Sequence, residues 1–574
     1  MESTYGLTEY ASGEQLEVVP CILKEMYSDF KVEEILDDHT VLTIPSPDFI
    51  VESSAKNQPE VKDEVVKPEC LSEEIVEKLD ERFEKKGEPV IIETESMSKD
   101  DRKSVHKFIR ENYGGKLISE TKDEKILVSH GHTQSSRKRK NWDEAIPKET
   151  HFTMCKENKD TSYALGIVAK FLRVGTNSLK THGIKDKRGV TAQRVSCRQV
   201  TEKQILDLNS TLRQIMIFDV EYKNDAIQIG GHWGNRFSII LRNLPENSEE
   251  LLKTRLASFE RNGFINYFGT QRFGSRESNT AEIGLCILRR EWEKAVKSIL
   301  NNALPQHLED RTVGAAIRCF QETGNPRWAY SKLKGAQAFA TIEGTILKCL
   351  LKDGTWQQCI TEAIPIQTRS LYVHAYQSLI WNRVASRRVK EFGGTTVNGE
   401  LDVGKNGEKL GEQNTHYDIH IPLAGENETF KDAIATKWTN EELQKDNITP
   451  DAFTSLQDRF SLGESSRPLF VEAKNLENQF IRYSERRAML QDGLRTRAIP
   501  EADRVGPYLA IQLKFDLIAG SYATVALREI TGEDMSKSSM KAASYKMRDD
   551  TADNGAVTGG NSEAIGERVK TDNV

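Results

Sequence analysis

Apolar positions along this chain fall into two rhythms, alternation and helical spacing, and the two divide it into elements. "FKVEEI" at 30–35 alternates and predicts a strand, with Asp29 near its start. "SEEIVEKLDERFEKKG" puts Ile75, Leu79 and Phe83 on one helical face, with Ser72 as cap and Gly87 as stop. "SKDDRKSVHKFIRENYGG" predicts a second helix from Ser98 to Gly114, and "KILVS" a short strand. Asp160 or Thr161 can cap a helix whose Leu165, Val168, Ala169 and Leu172 share a face and which ends at Gly175. "VTAQRVS" (190–196) reads as a strand, and Thr201 with Gln204 as a capping box. "AIQIGGHWGNRFSIILRNL" reads as strand, glycine-rich bend, strand. "SEELLKTRLASFERNG" is an amphipathic helix through Leu252, Leu256 and Phe259, stopped at Gly263. Residues 281–395 carry mainly helical spacing, and 396–467 read as loop-rich and irregular. Leu509, Ile511, Leu513, Phe515 and Leu517 alternate in a strand followed by a turn and a short helix.

A chain of 574 residues exceeds one compact domain. Alternating strands and helices from 164 to 275 argue for a mixed α/β or α+β domain built on a sheet. An acidic linker at 51–71 and a basic loop at 129–150 flank a small α/β module at 72–128, and a disordered tail is expected over 533–574. A net charge of −7 argues against a nucleic-acid binder, but residues 51–100 alone hold 15 acids against 8 bases. The rest is balanced, with local basic clusters such as Lys185, Lys187, Arg188, Arg194 and Arg198, and phosphate contacts need only a local basic face. No run of eighteen apolar residues predicts a membrane span, and "MESTYGLTEYASGEQ" has no signal-peptide pattern. The eight cysteines include no CxxC pair, so neither a zinc site nor a disulfide framework is indicated, and a reducing, intracellular setting fits best.

The candidate chemistry gathers in a few stretches. In "GIKDKRGVTAQRVS" (183–196) Asp186 stands alone among bases. It reads either as a solvated turn residue or as an acid held among cations for chemistry. No second carboxylate lies nearby, so a glycosidase pair is not suggested. "NYFGTQRFG" (266–274) reads either as a bend packing Tyr267 and Phe273 into a core or as a base-stacking platform. In the second reading Arg272 is available to a phosphate or carboxylate. "SSRKRK" (135–140) is a solvated run or a nuclear-targeting or RNA-contacting patch. Arg102 and His106 share a helix face.

Together these stretches resemble the TruD family of pseudouridine synthases. "GIKDKRGVTAQ" resembles the family's GxKDxxAxTxQ motif, "ILKEMYSDFKVEE" its N-terminal KxxxxDFxVxE segment, and "KENKDTSYALGIVAKFLRV" its KENxDT helix. "GGHWGNRFSIILRN", "INYFGTQRFG", "LYVHAYQSLIWN" and "GSYATVALREI" follow in the family's order, from about Ile22 to Ile530. The N-terminal insertion suits the eukaryotic branch. The chain departs from the pattern at Gly189, where Ala is usual, at Ile518-Ala519, where a Pro is usual, and in "IPLAG", where PLPG is usual.

The resemblance implies an α+β fold: a catalytic domain with a central mixed or antiparallel sheet flanked by helices. Residues 1–50, 151–289 and 466–532 would form it, interrupted by an inserted, mainly helical α/β TRUD domain at 290–465. The module at 72–128 weakly resembles single-strand-binding domains built on an RxxxH helix. The implied activity is isomerisation of uridine to pseudouridine in RNA, with Asp186 catalytic and Lys24 paired to it. Phe268 would lie against the flipped base, and Asn266, Lys185, Gln193 and Arg272 would complete the substrate site. No cofactor and no metal are implied, because the reaction gains no atom and changes no oxidation state. The implied partner is RNA: tRNA, with mRNA and snRNA as further candidates. A monomer with no membrane association is expected, in the nucleus, the cytoplasm or both. The competing reading is a non-catalytic RNA-binding or chaperone protein on the same fold.

Overall fold

The computed structural model describes residues 2–47, 67–68, 70–84, 89–94, 97–113, 117–122, 125–130, 142, 146–274, 279–303, 312–397, 402–425, 428–431, 433–460, 462–536 and 539–540. Most of the expected acidic linker, the basic run at 135–140 and the tail beyond 540 lie outside these residues. Among the described residues, no helix is long and apolar enough to cross a membrane.

Strands β1 (Ile22–Leu23) and β2 (Phe30–Ile35) open the main sheet. A separate antiparallel sheet follows, with β3 (Val90–Glu93), β4 (Leu117–Lys122) and β5 (Lys125–His130) in the order β3-β5-β4. Helices α1 (Glu73–Glu84) and α2 (Lys99–Asn112) close its inner face by packing Leu79, Val105 and Ile109 against Ile92, Ile126 and Val128. The main sheet resumes with β6 (Glu149–Glu157), β7 (Leu179–Thr181), β8 (Val190–Arg198), β9 (Ile215–Lys223) and β10 (Gly234–Leu244), with α3 (Thr161–Leu172) between β6 and β7. Helix α4 (Glu249–Asn262) and β11 (Phe264–Ile265) lead into a mainly helical stretch. Its principal elements are α5 (Thr280–Leu288), α6 (Trp292–Ala303), the 27-residue α7 (Ile366–Phe392), β12 (His420–Pro422) and α8 (Ile434–Lys445). The chain returns through β13 (Ser466–Pro468), β14 (Phe470–Val471), β15 (Lys474–Tyr483) and β16 (Tyr508–Ile518) to α9 (Ala523–Thr531).

The main sheet runs β15-β16-β10-β2-β8-β6-β9, with β1 added to β10 and β7 to β8. Only the β2–β8 pair is parallel, so the sheet is mixed and mostly antiparallel, as the α+β reading requires. Alternation decides its faces. Phe30 and Val32 of β2, Phe237 and Ile239 of β10, and Leu513 and Phe515 of β16 face one way, into the large core shared with α4 and α7. Phe152 and Met154 of β6 pack under α3.

The structure departs from the sequence reading in four places. The strand before the glycine-rich bend is β9 rather than 226–229, because Asp219 adopts a φ of 53° and breaks the alternation of "IMIFDVEYK" with a bulge. Arg173, at φ 56°, ends α3 before Gly175. Arg290, at φ 62°, lies between α5 and α6, which the sequence presents as one continuous helical run. The stretch taken as irregular contains α8, whose buried face mixes Ala435, Trp438 and Leu443 with Thr439 and Glu442 and so hides its period.

Two long-range ties hold the N-terminal segment. Glu2 pairs with Arg528 at 2.8 Å, Arg528 also donates to the Glu9 carbonyl, and the Val19 amide donates to the Thr531 carbonyl. The Tyr5 ring stacks on Phe273 at 4.5 Å, and the Tyr5 carbonyl accepts from Asn382 of α7. Farther along, Asp29 and Arg242 form a buried two-bond fork at 2.6 and 2.8 Å that fixes the approach of β1 and β2 to β10. Removing one partner leaves the other charged and desolvated, so Arg242→Ala should lose about 3–5 kcal/mol of stability in urea unfolding. A loss below about 1 kcal/mol, the range of an exposed pair, would show that the fork is not needed.

Candidate active site

The 182–189 turn crosses the large-core face of β2. Asp186 stands on its outer side with 30% of its side chain exposed, 3.3 Å from the Lys24 ammonium. Lys24 is 14% exposed and lies over the Phe30 ring at 3.6 Å. Its backbone adopts a φ of 61°, a left-handed conformation uncommon for lysine, and this bends the chain between β1 and β2 beside the Asp186 turn. Burial depresses the Lys24 ammonium below the ordinary lysine range, and the Asp186 carboxylate pulls in the other direction. Gly189 is needed for the close approach, since a Cβ there would lie 2.5 Å from the Phe30 carbonyl oxygen.

Beneath the turn, Glu34 of β2 is fully buried and accepts from His182 Nδ1 at 2.8 Å and from the Arg194 amide at 3.1 Å. Its other oxygen lies 2.8 Å from the Lys185 ammonium. Burial alone would raise this carboxyl, but the hydrogen bonds from His182 and Lys185 and the charge of Lys185 bring it down to about 2. Lys156 of β6 donates to the carbonyls of Asp186 and Lys185 at 2.8 and 3.3 Å. Burial pushes its ammonium down to about 8 against the pull of Asp186 and Asp160. Thr161 hydrogen-bonds the Lys185 amide at 3.1 Å and Gln193 Oε1 at 3.2 Å, and Gln193 donates to the Gly183 carbonyl at 3.1 Å.

Lys185 and Gln193, expected at the substrate site, are buried braces of the turn, with Lys185 turned toward Glu34 and Gln193 toward Thr161. Lys156, Thr161 and Glu34 are supporting residues that sequence reasoning passed over. Lys156 and Thr161 open and close the "KENKDT" segment, so a signal was present.

The 266–274 loop lies over the same face of the sheet. Asn266 is buried and forks with Arg467 of β13: Arg467 Nε donates to the Asn266 carbonyl at 2.7 Å and Nη2 to Oδ1 at 2.6 Å. Phe268 is half-buried, edge-on to Trp381 and Tyr522. One face of its ring carries the Arg467 guanidinium at 4.2 Å. Asn382 clamps the Phe268 backbone, accepting from its amide at 2.8 Å and donating to its carbonyl at 3.0 Å. Arg272 follows on a short 3-10 turn, Thr270–Phe273. Acid turn and aromatic loop are linked indirectly through one end of the sheet. Asn235 of β10 accepts from Lys185, the neighbouring Gly234 pairs with Ile518 of β16, and the chain then turns into Tyr522 beside Phe268.

A tethered carboxylate and an aromatic loop thus lie on one face of a mixed sheet. The family model described as tRNA pseudouridine synthase D (TruD) matches residues 110–530, so the chain belongs to the TruD family. It is 64% identical over 552 residues to a Caenorhabditis elegans protein assigned as a pseudouridine synthase, B0024.11, covering 96% of this chain and 95% of that one. It is 28% identical to the human pseudouridylate synthase 7 homolog, covering 93% and 81%. It is 31% identical to the Schizosaccharomyces pombe multisubstrate pseudouridine synthase 7, covering 76% and 70%. A solved Methanosarcina mazei TruD shares the fold, with a TM-score of 0.53 at 18% identity, over 93% of this chain and 98% of that one. The chain is thus an isomerase that converts uridine to pseudouridine in RNA.

Because the Glu34 carboxyl falls from 4.5 to about 2 on folding, its contribution to stability is complete above pH 4.5 and is lost as the pH falls through about 2. Glu34→Gln should therefore lower stability at neutral pH and flatten the stability profile between those values, measured by urea unfolding across pH. An unchanged profile would detach Glu34 from acid unfolding.

Proposed function

We propose that the enzyme acts on tRNA, with mRNA and snRNA as further substrates, and that Asp186 is its catalytic carboxylate. The observation that carries this reading is the Asp186 carboxylate itself, exposed on one side and ion-paired on the other to Lys24. The family's description supports tRNA, and the name of the fission-yeast relative supports a wider range. The working unit is a monomer. The basic run at 135–140 suits a nuclear address beside a cytoplasmic pool.

Pseudouridine formation breaks the C1′–N1 bond, turns the uracil and joins C1′ to C5. C5 gives up a proton and N1 ends with one, so composition is unchanged. Asp186 can attack the sugar carbon or take a proton from the sugar as the base departs. An Asp suits either role, because a carboxylate is ionised at neutral pH without assistance. The Lys24 contact orients it, and the Lys156 bonds to the carbonyls of Asp186 and Lys185 keep the turn in place. To reach Asp186 the uridine must leave its stack at a cost of roughly a few kcal/mol, which the Phe268 neighbourhood offsets. A closed pocket retains the detached uracil until it recombines.

Asp186→Asn should abolish pseudouridine formation while RNA affinity stays within about a few-fold, read by chemical mapping of treated RNA alongside a binding titration. Retained turnover would remove Asp186 from the chemistry. Lys24, depressed by burial, sheds its proton at lower pH than an ordinary lysine, so its pairing with Asp186 weakens as pH rises. The alkaline fall of kcat/KM should therefore move to higher pH in Lys24→Arg and stay in place in Lys156→Arg. The reverse result assigns that ionisation to Lys156.

A further inference from the structure

Two arginines of the Phe268 neighbourhood make no ion pair among the described residues. Three buried arginines have a carboxylate: Arg242 has Asp29, Arg388 has Asp402 and Arg528 has Glu2. Arg467 differs. Its guanidinium sits among three rings, 4.2 Å from Phe268, 5.6 Å from Trp381 and 5.9 Å from Tyr522. Among the described residues its hydrogen-bond acceptors are two uncharged oxygens of Asn266. Its Nη1 is left facing the turn at Gly520, where there is no side chain to cover it. Arg272, four residues beyond Phe268, makes no ion pair among the described residues, and its Nε is buried without an acceptor. Burial first, and the repulsion of Arg272 with it, bring the Arg467 guanidinium down to about 10 against the pull of Tyr522, so the two cations feel one another.

A desolvated cation without a counter-ion is unfavourable, and two side by side are more so. Such a pair is stable when a ligand brings the missing negative charge. Guanidinium forks fit phosphate oxygens two at a time. The place also fits, since phosphate contacts fix the position of a nucleic acid while its base is handled elsewhere. We propose that Arg272 and Arg467 form the seat for an RNA backbone phosphate next to the target uridine. Asn266 holds Arg467 by its Nε and Nη2 edge and leaves Nη1 for the phosphate. The same guanidinium lies on the Phe268 ring, so backbone grip and base placement meet at one side chain.

This inference rests on the reading of Phe268 as a neighbour of the flipped base, but the two can fail separately. Turnover of Asp186→Asn tests the chemistry, whereas RNA binding by that same inactive protein tests the phosphate seat. In the full-length Asp186→Asn background, Arg272→Gln and Arg467→Gln should each weaken binding of a tRNA transcript by about tenfold or more. Each should also reduce the slope of log Kd against log salt concentration by about one, equally for transcripts that differ in sequence around the uridine. Arg272→Lys, which keeps the charge, should retain the slope. An unchanged slope overturns the proposal. So does a loss confined to particular sequences, which would make these arginines readers of base edges. If Arg467→Gln does not fold, Arg272→Gln decides the matter alone.

Discussion

The position of Asp186 depends on one buried carboxylate. Glu34 is shut away from water, and a charge in that position is tolerated only when it is paired and hydrogen-bonded. His182, Lys185 and the Arg194 amide answer it. Meeting that demand draws His182 and Lys185 inward and leaves Ile184 and Asp186 on the outer side of the turn. The bases around Asp186 are therefore not equivalent. Lys185 neutralises the interior, Lys24 from the far N-terminal segment holds Asp186, and Lys187 is exposed.

Much of this was legible along the chain, because the signals were local. The strand at 30–35 and the caps at Ser98, Asp160 and Thr201 follow from short-range rules and stand where those rules put them. Features set by distant partners were not legible. Nothing near Lys185 says that it will face Glu34, and nothing near Asn266 announces an arginine 201 residues away. A motif marks residues as belonging together without saying which face inward, which is why the burial of Lys185 and Gln193 could not be read from it. The helix at 434–445 was hidden for another reason: its buried face includes Thr439 and Glu442, and an apolar-period test discounts both.

The aromatic loop shows how a small neighbourhood combines stiffness with openness. Asn382 fixes the backbone of Phe268 with two hydrogen bonds, and Trp381 and Tyr522 meet its ring edge-on. The remaining cover is a guanidinium, which stacks well on a ring yet keeps polar edges for other partners. Gly269 completes the fit, since a Cβ there would come within 2.8 Å of the Tyr522 ring.

The clasp between Glu2 and Arg528 ties together residues 526 positions apart. Tyr5 shares Asn382 with Phe268, so the same segment also buttresses the aromatic loop. The Tyr5 partners Phe273 and Asn382 precede helix α9 in the chain, whereas the partner of Glu2 lies within it. Closure of this segment is therefore staged by chain order: a nascent chain that stalls before α9 can seat Tyr5 and still leaves Glu2 without its arginine.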